Sequence, residues 1–254
     1  MKQRIFRVNK RLLPSRDNRR FRTIGSLALS VTFSLYILFS VPVQAAEQTA
    51  DPFESVNRVT HEFNQAVDKV MFKPAARSYQ RWIPLPVKSG IRNFFGNLDD
   101  VRVLANNLLQ FDLTAAARSS GRLLLNTSLG LGGLLDVAGN EFDLGKQNQD
   151  FGMTLARYGV GSGPYMVLPF LGPSTLRDAA GSSVDTVFDP VLAIDEVTTR
   201  NSLLGVEAAS IRAQYLGFDT MVFGDDYLFY REAYLQNREY AIHGQSMEVS
   251  FQEF

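Results

Sequence analysis

The sequence predicts an all-α protein, and three observations carry that expectation. Apolar residues recur at three- and four-residue steps in segment after segment, the period of a helix face. Asp, Asn and Ser stand just ahead of several of these runs, where their side chains can hold the free N–H groups of a first turn. No alternating run is long enough to make a sheet.

Asp51 is placed to cap the first helix, with Pro52 at its first position and Glu54 reaching back from the third. Phe53, Val56, Phe63, Val67, Val70 and Met71 then form one apolar stripe, which Lys73-Pro74 interrupts or kinks. Trp82-Ile83-Pro84-Leu85-Pro86 reads as a stiff, extended connector, because proline pushes the residue before it away from helix. A short helix through Val87, Ile91, Phe94 and Phe95 is expected to stop at Gly96, with Asn97 capping the next through Val101, Leu104, Leu108 and Leu109. Asp112 caps another, through Ala116, Leu123 and Leu124. Gly130 to Gly139 is a glycine-rich break, and a helical turn or two leads on to Tyr158. Further along, Ser174 is placed to cap a helix carrying Leu176, Ala180, Val184 and Val187. Later helices are expected near 202–218 and 226–242, the last with Tyr227, Tyr230 and Tyr234 on one side.

The stretch from Tyr158 to Asp178 is unlike the rest. Gly159, Gly161 and Gly163 alternate and are closed by Pro164, and the apolar run that follows is bracketed by Pro169 and by Gly172-Pro173. Glycine loosens a segment and proline cannot be extended through. A loop this apolar should not face water, so it belongs at a membrane or partner surface. Two readings stand side by side. In one, Gly159, Gly161, Gly163 and Pro164 form the hinge of a gate flanked by Tyr158 and Tyr165; in the other, a rigid tight turn uses glycine only for its dihedral angles.

Composition bounds the function. The first 22 residues carry nine Lys or Arg against one acid, Asp17. An apolar stretch from about Ile24 to Val41 follows, then Pro42 and Val43-Gln44-Ala45-Ala46. That order is an export signal cleaved between Ala45 and Ala46; the alternative is an uncleaved membrane anchor. Arg19-Arg20 hints at twin-arginine export, although Arg22 sits where that signal wants an apolar residue. The whole chain has 26 basic and 26 acidic residues; removing residues 1–45 takes away nine and one, leaving 17 and 25, a net of −8. An acidic mature chain is a poor nucleic-acid binder. No mature segment offers an uninterrupted apolar run long enough to span a bilayer.

Catalytic machinery is missing from the pattern. There is no cysteine, which excludes disulfides and thiolate chemistry. The only histidines, His61 and His243, read as solvated surface residues. Gly161-Ser162-Gly163 lacks the spacing of a nucleophile elbow, and Gly159-Val160-Gly161 continues into neither a dinucleotide fingerprint nor a phosphate loop. Asp99-Asp100 and Asp225-Asp226 fall at expected helix starts, where acids suit the dipole. The reading is a non-enzyme without cofactor or metal.

The segment from Tyr158 to Asp178 resembles the signature of the MlaA/VacJ family, outer-membrane proteins that remove misplaced phospholipid. The resemblance extends through Asp51-Pro52-Phe53-Glu54 with Asn57-Arg58, Asn93-Phe94-Phe95-Gly96-Asn97-Leu98, Leu125-Asn126-Thr127, Gly130-Leu131-Gly132-Gly133, Asp136-Val137-Ala138-Gly139 and Arg231-Glu232-Ala233-Tyr234. It covers roughly residues 51 to 242, and the joint order of the strings makes it specific. Residues 1–45 are then a signal peptide, 46–242 the family-like domain and 243–254 a tail. The resemblance implies a ring-like assembly of amphipathic helices lying in one membrane leaflet, with Tyr158, Tyr165 and Phe170 facing the membrane. Pattern alone fits a soluble helical bundle equally well. The resemblance also implies phospholipid as cargo, and a trimeric outer-membrane porin and a soluble periplasmic lipid carrier as partners. A non-catalytic scaffold of the outer membrane or periplasm is the competing reading. One departure stands out: most relatives are lipoproteins whose signal ends at an acylated cysteine, and here Ala45-Ala46 occupies that region.

Overall fold

Helical backbone runs almost without pause from Glu54 to Trp82 in the computed structural model, which describes residues 51–220 and 222–244. The signal segment, its cleavage point at Ala45-Ala46 and most of the tail lie outside the described residues. Helix α1 spans Glu54–Val67, a π-helical turn spans Asp68–Phe72, and α2 spans Lys73–Trp82. Pro74 therefore does not break the run. The π turn widens the backbone just ahead of it, with the Lys73 N–H reaching back to the Asp68 carbonyl, and a wider turn relieves the proline ring's clash with the preceding carbonyl. Asp51 is not the capping residue itself; Phe53 holds that position. The Asp51 carboxylate still accepts from the Phe53 N–H at 3.2 Å.

Helix α3, Leu85–Leu109, is continuous through Gly96, where a stop was expected. A single interior glycine costs about 1 kcal/mol, less than the packing that α3 gains along α4, Leu113–Ser128. Asn97 consequently caps nothing; it is buried and donates to Thr127 Oγ1 at 3.0 Å. Asp99-Asp100 likewise sits mid-helix rather than at a start. Asp112 caps α4 as expected, accepting from the Ala115 N–H at 2.9 Å. Helix α5 is Val137–Phe142, capped by Asp136, and α6 is Phe151–Arg157, capped by Asp150.

The proline-bracketed run is not an open loop. Strands β1, Tyr165–Leu168, and β2, Gly172–Thr175, pair antiparallel with Tyr165 opposite Thr175 and Leu168 opposite Gly172. The expectation of no strand fails here because the hairpin is only four residues deep, too short for an alternation signal. Pro173 is tolerated because it sits in a two-stranded sheet, where one side of each strand is an edge. Thr175, not Ser174, caps α7, Leu176–Asp185. A short 3₁₀ turn, Thr186–Phe188, follows. Helix α8 is Val197–Gln214, and α9, Asp226–His243, is capped by Asp225.

Contacts between these elements close a circuit. Helix α1 packs on β1, β2 leads into α7, α7 lies on α6, α6 touches α3, α3 touches α8, and α8 packs on α2, which continues α1. Helix α9 braces α6 and β2. The interior of this arrangement is polar. Among the described residues, sixteen polar or charged residues are buried against twelve hydrophobic ones, seven of which are alanine or valine. The stripe that starts at α1, by contrast, points largely outward: Phe53, Val56 and Phe63 are exposed, as are Val70 and Met71 of the π turn, while Val67 is half-buried. No described helix is long and apolar enough to cross a membrane.

Candidate functional site

The hairpin is held from outside by two asparagines of α1. Asn57 donates to the Tyr165 carbonyl at 3.2 Å and accepts from the Val167 N–H at 2.9 Å. Asn64 does the same one step along, donating to the Leu168 carbonyl at 2.9 Å and accepting from the Phe170 N–H at 2.8 Å. Seven helical residues rise about 10 Å, close to three residues of strand, so the two amides meet successive edge groups of β1 in register. Side chains of a helix stand in for a missing strand. Asn57 is itself buried and also donates to Asp51 at 3.0 Å, whose other oxygen accepts from the Tyr227 hydroxyl of α9.

The glycine segment is tied down at both ends. Gly159 N–H bonds to the Ala156 carbonyl at 2.9 Å and Val160 N–H to the Leu155 carbonyl at 3.0 Å, the pattern of a helix end closed by a left-handed glycine. Gly159 has φ +82° and Gly163 φ +67°, whereas Gly161 is not among the positive-φ residues. Across the segment, Leu176 N–H bonds to the Pro164 carbonyl and Arg177 N–H to the Ser162 carbonyl. A side chain at Gly163 would meet Leu176 Cβ at 3.0 Å. Two of the three glycines thus have local backbone reasons to be glycine.

Of the aromatics expected at the membrane, Tyr158 and Phe170 are exposed and Tyr165 is not. Tyr165 is 6 % exposed because β1 alternates, and its inward position packs it against Tyr227 and Tyr234. Tyr158 donates its hydroxyl to the Leu109 carbonyl at 2.6 Å. Phe170, at the hairpin tip, stacks edge-on with Phe63, ring centres 5.3 Å apart. His61 differs from the solvated residue expected. Its ring lies 5.8 Å from Tyr227 and 5.6 Å from Tyr230; burial depresses its pKa, opposed by Asp226, Asp225 and Glu62.

Three turn tips share an unusual combination. Phe111, Leu131 and Phe170 have φ of 56°, 55° and 65° and are 81 %, 69 % and 63 % exposed. Large side chains rarely adopt a left-handed backbone, which costs roughly 1–2 kcal/mol. These residues accept that cost while displaying apolar surface.

Inside, α3 is the polar spine. Asn106 donates to Asp185 Oδ1 of α7 at 2.8 Å and accepts from Thr154 Oγ1 of α6 at 2.8 Å. Asn107 donates to Ser119 of α4 at 2.9 Å. Asp100 lies between Arg122 of α4 and Lys146, at 3.3 and 2.6 Å; burial nonetheless raises its pKa. Where α6, α7 and α9 meet, Arg238 clamps Asp150 at 2.6 Å and Asp178 at 2.8 Å. Burial pushes both carboxyls up, but Arg238 outweighs it and holds them below the usual range, helped at Asp178 by Tyr234.

Beside the spine opens a cavity of about 830 Å³ between α3, the end of α7 and α8. Arg92, Asp99 and Arg102 face it from α3, Glu207 from α8 and Asp185 and Asp189 from the α7 end, with Phe95, Phe188 and Ile211 among its apolar lining. Burial, then Asp189 and Asp99, raise the Glu207 pKa against the pull of Arg102. Both charge signs beside apolar surface suit an amphipathic molecule with a charged head. Reasoning from the sequence did not reach this cavity. Its lining comes from α3, the α7 end and α8, stretches far apart along the chain, so no local pattern announces it.

Comparison with known proteins fits this geometry. A family model described as "MlaA lipoprotein" matches residues 49–241. The chain is similar to the "Intermembrane phospholipid transport system lipoprotein MlaA" of Escherichia coli (strain K12), 37 % identical over 87 % of this chain and 89 % of that one. The protein of the same description in Haemophilus influenzae is 32 % identical over 76 % of this chain and 79 % of that one. A solved chain from work on the "Structural basis for maintenance of bacterial outer membrane lipid asymmetry" aligns with TM-score 0.67 and 36 % identity, covering 76 % of this chain and 99 % of that one. On the extent of these matches, the chain belongs to the MlaA family.

Proposed function

We propose that this protein moves phospholipid between membranes, taking misplaced molecules from the outer leaflet of the outer membrane and so maintaining lipid asymmetry. The observation that carries the reading is the inversion of the described fold: polar side chains and a charged cavity lie within, and large apolar side chains are displayed outside. A diacyl phospholipid carries about 30 methylene groups, so exposing its chains to water costs on the order of 20 kcal/mol. Forcing its charged head through hydrocarbon costs at least several more. A protein lowers both barriers by offering the head a polar path while the chains stay in apolar surroundings. The closed circuit of helices lies in one leaflet in this reading, its exposed stripes in acyl chains. The work is non-catalytic, and the lipid passes to a soluble periplasmic carrier beside a trimeric porin.

Attachment follows from the same surface. With no cysteine to acylate, the mature chain is held by its exposed apolar residues and should fractionate with outer membrane. Deleting the gene should raise outer-leaflet phospholipid and sensitivity to detergent with chelator. An unchanged outer-leaflet level would move the scaffold reading ahead. Mass spectrometry of lipid co-purifying with the mature protein separates the two directly.

A further inference from the structure

One stretch breaks the acidic character of the chain. From Lys69 to Leu98 there are six bases, Lys69, Lys73, Arg77, Arg81, Lys88 and Arg92, and no acid. Beyond residue 45, the rest of the chain therefore has 11 bases against 25 acids, since 17 minus six is 11. Lys73, Arg77 and Arg81 recur at four-residue steps along α2, which stacks neighbouring charges on one side of a helix. Like charges at that spacing repel, so the strip is held at a cost in the absence of a counter-charge.

The protein supplies little of that counter-charge. Lys73 pairs with Asp219 at 2.6 Å, and Lys88 donates to the Gln80 carbonyl at 2.7 Å. Arg81 lies over the Trp82 ring at 5.1 Å. Lys69, Arg77 and Arg92 form no ion pair among the described residues. Interleaved with these bases are exposed Val70, Met71, Trp82, Leu85 and Val87. Bases alternating with tryptophan and aliphatic side chains are the chemistry of a helix lying at a lipid headgroup layer. The last base, Arg92, also lines the 830 Å³ cavity.

We propose that this strip binds anionic phospholipid headgroups and gathers them beside Arg92 at the cavity. Phosphate and anionic headgroup charges complement the unpaired bases, and the apolar residues between them enter the layer beneath. The step from strip to cavity rests on the lipid-transport reading; binding at the strip does not.

The experiment uses the mature protein purified in detergent and floated with vesicles of phosphatidylcholine alone or doped with phosphatidylglycerol, over a salt series. Doping should tighten binding of the wild type, and salt should reverse the gain. Lys69→Gln/Arg77→Gln should lose roughly fivefold of the anionic gain per charge removed, with unchanged binding to phosphatidylcholine and an unchanged melting temperature. Arg118→Gln, exposed on α4, should keep the gain. Equal binding and equal salt dependence of the double variant and the wild type would overturn the proposal. So would a double variant that keeps the vesicle gain but loses a protein cross-linked to this face in cells, which would assign the strip to an acidic protein. A deletion strain with normal outer-leaflet phospholipid would instead sink the transport reading and leave the vesicle result standing.

Discussion

Arg238 and Phe111 stand at opposite extremes of this molecule. Arg238 is locked between two carboxylates where α6, α7 and α9 meet; Phe111 projects from the α3–α4 turn on a left-handed backbone. In a water-soluble domain the phenylalanine would be inside and the arginine at the rim. The reversal says that polar bonds specify which helix meets which, while apolar residues are arranged toward something outside the chain. In lipid that division is sensible, because apolar faces gain little by meeting one another when the solvent is equally apolar.

The comparison is broken most severely from the polar side. Asp178→Ala leaves Arg177 and Arg238 short of a counter-charge in a buried site, and such losses cost about 3–5 kcal/mol. Most folded protein should disappear, measured as abundance and as thermal unfolding in detergent. The pH dependence follows with a definite sign. Asp150 and Asp178 have folded pKa values below the ordinary carboxylate value, which is about 3.9. Their stabilisation is therefore complete above that value and is lost as pH falls through the lower folded one. Arg238→Gln should be less stable at neutral pH and lose less on acidification; an identical acid profile would remove the clamp from the account.

Asn57→Leu comes next. It keeps bulk but orphans the Tyr165 carbonyl and the Val167 N–H, at about 1–3 kcal/mol for each buried group. Asn64→Leu should cost less, because the Phe170 N–H it serves is exposed. Equal costs, read as melting temperatures, would show that the two amides do not act as substitute strand partners.

What was legible in the sequence follows the same division. Periodicity located α1, α4 and α9 because amphipathic stripes repeat at 3.6 residues whichever way they face. It could not say that the stripe of Phe53, Val56 and Phe63 looks outward. Gly96 sets only a weak local penalty, which long-range packing overrides, so the break expected there does not form in α3. Buried Asn57, Asn106, Asn107 and Asn126 were invisible as core, since their partners lie far along the chain and asparagine alone reads as a turn residue.

The glycine segment offers a smaller and sharper test. Gly163→Leu meets both a positive φ and Leu176 Cβ, so it should mainly lower folded abundance, by at least about 1 kcal/mol in stability. Gly161 carries no positive φ, which makes Gly161→Leu the informative variant. Altered lipid removal at normal abundance would favour a moving gate. Normal abundance with normal lipid asymmetry would leave a rigid turn.

The smallest effect on stability is expected at the tips, and its sign is the point. Asparagine tolerates a left-handed backbone better than a large apolar residue does. Phe111→Asn and Leu131→Asn should therefore relax strain and leave detergent melting unchanged or raised by under about 1 kcal/mol. Each also removes a side chain whose transfer from water to an apolar phase is worth about 1.5–3 kcal/mol, so membrane retention should fall in vesicle flotation at the same time. Opposite movement of the two readouts is what a surface built for lipid requires. If both substitutions lowered the melting temperature and left retention intact, the tips would be packing residues, and the inverted reading of this fold would lose its outer half.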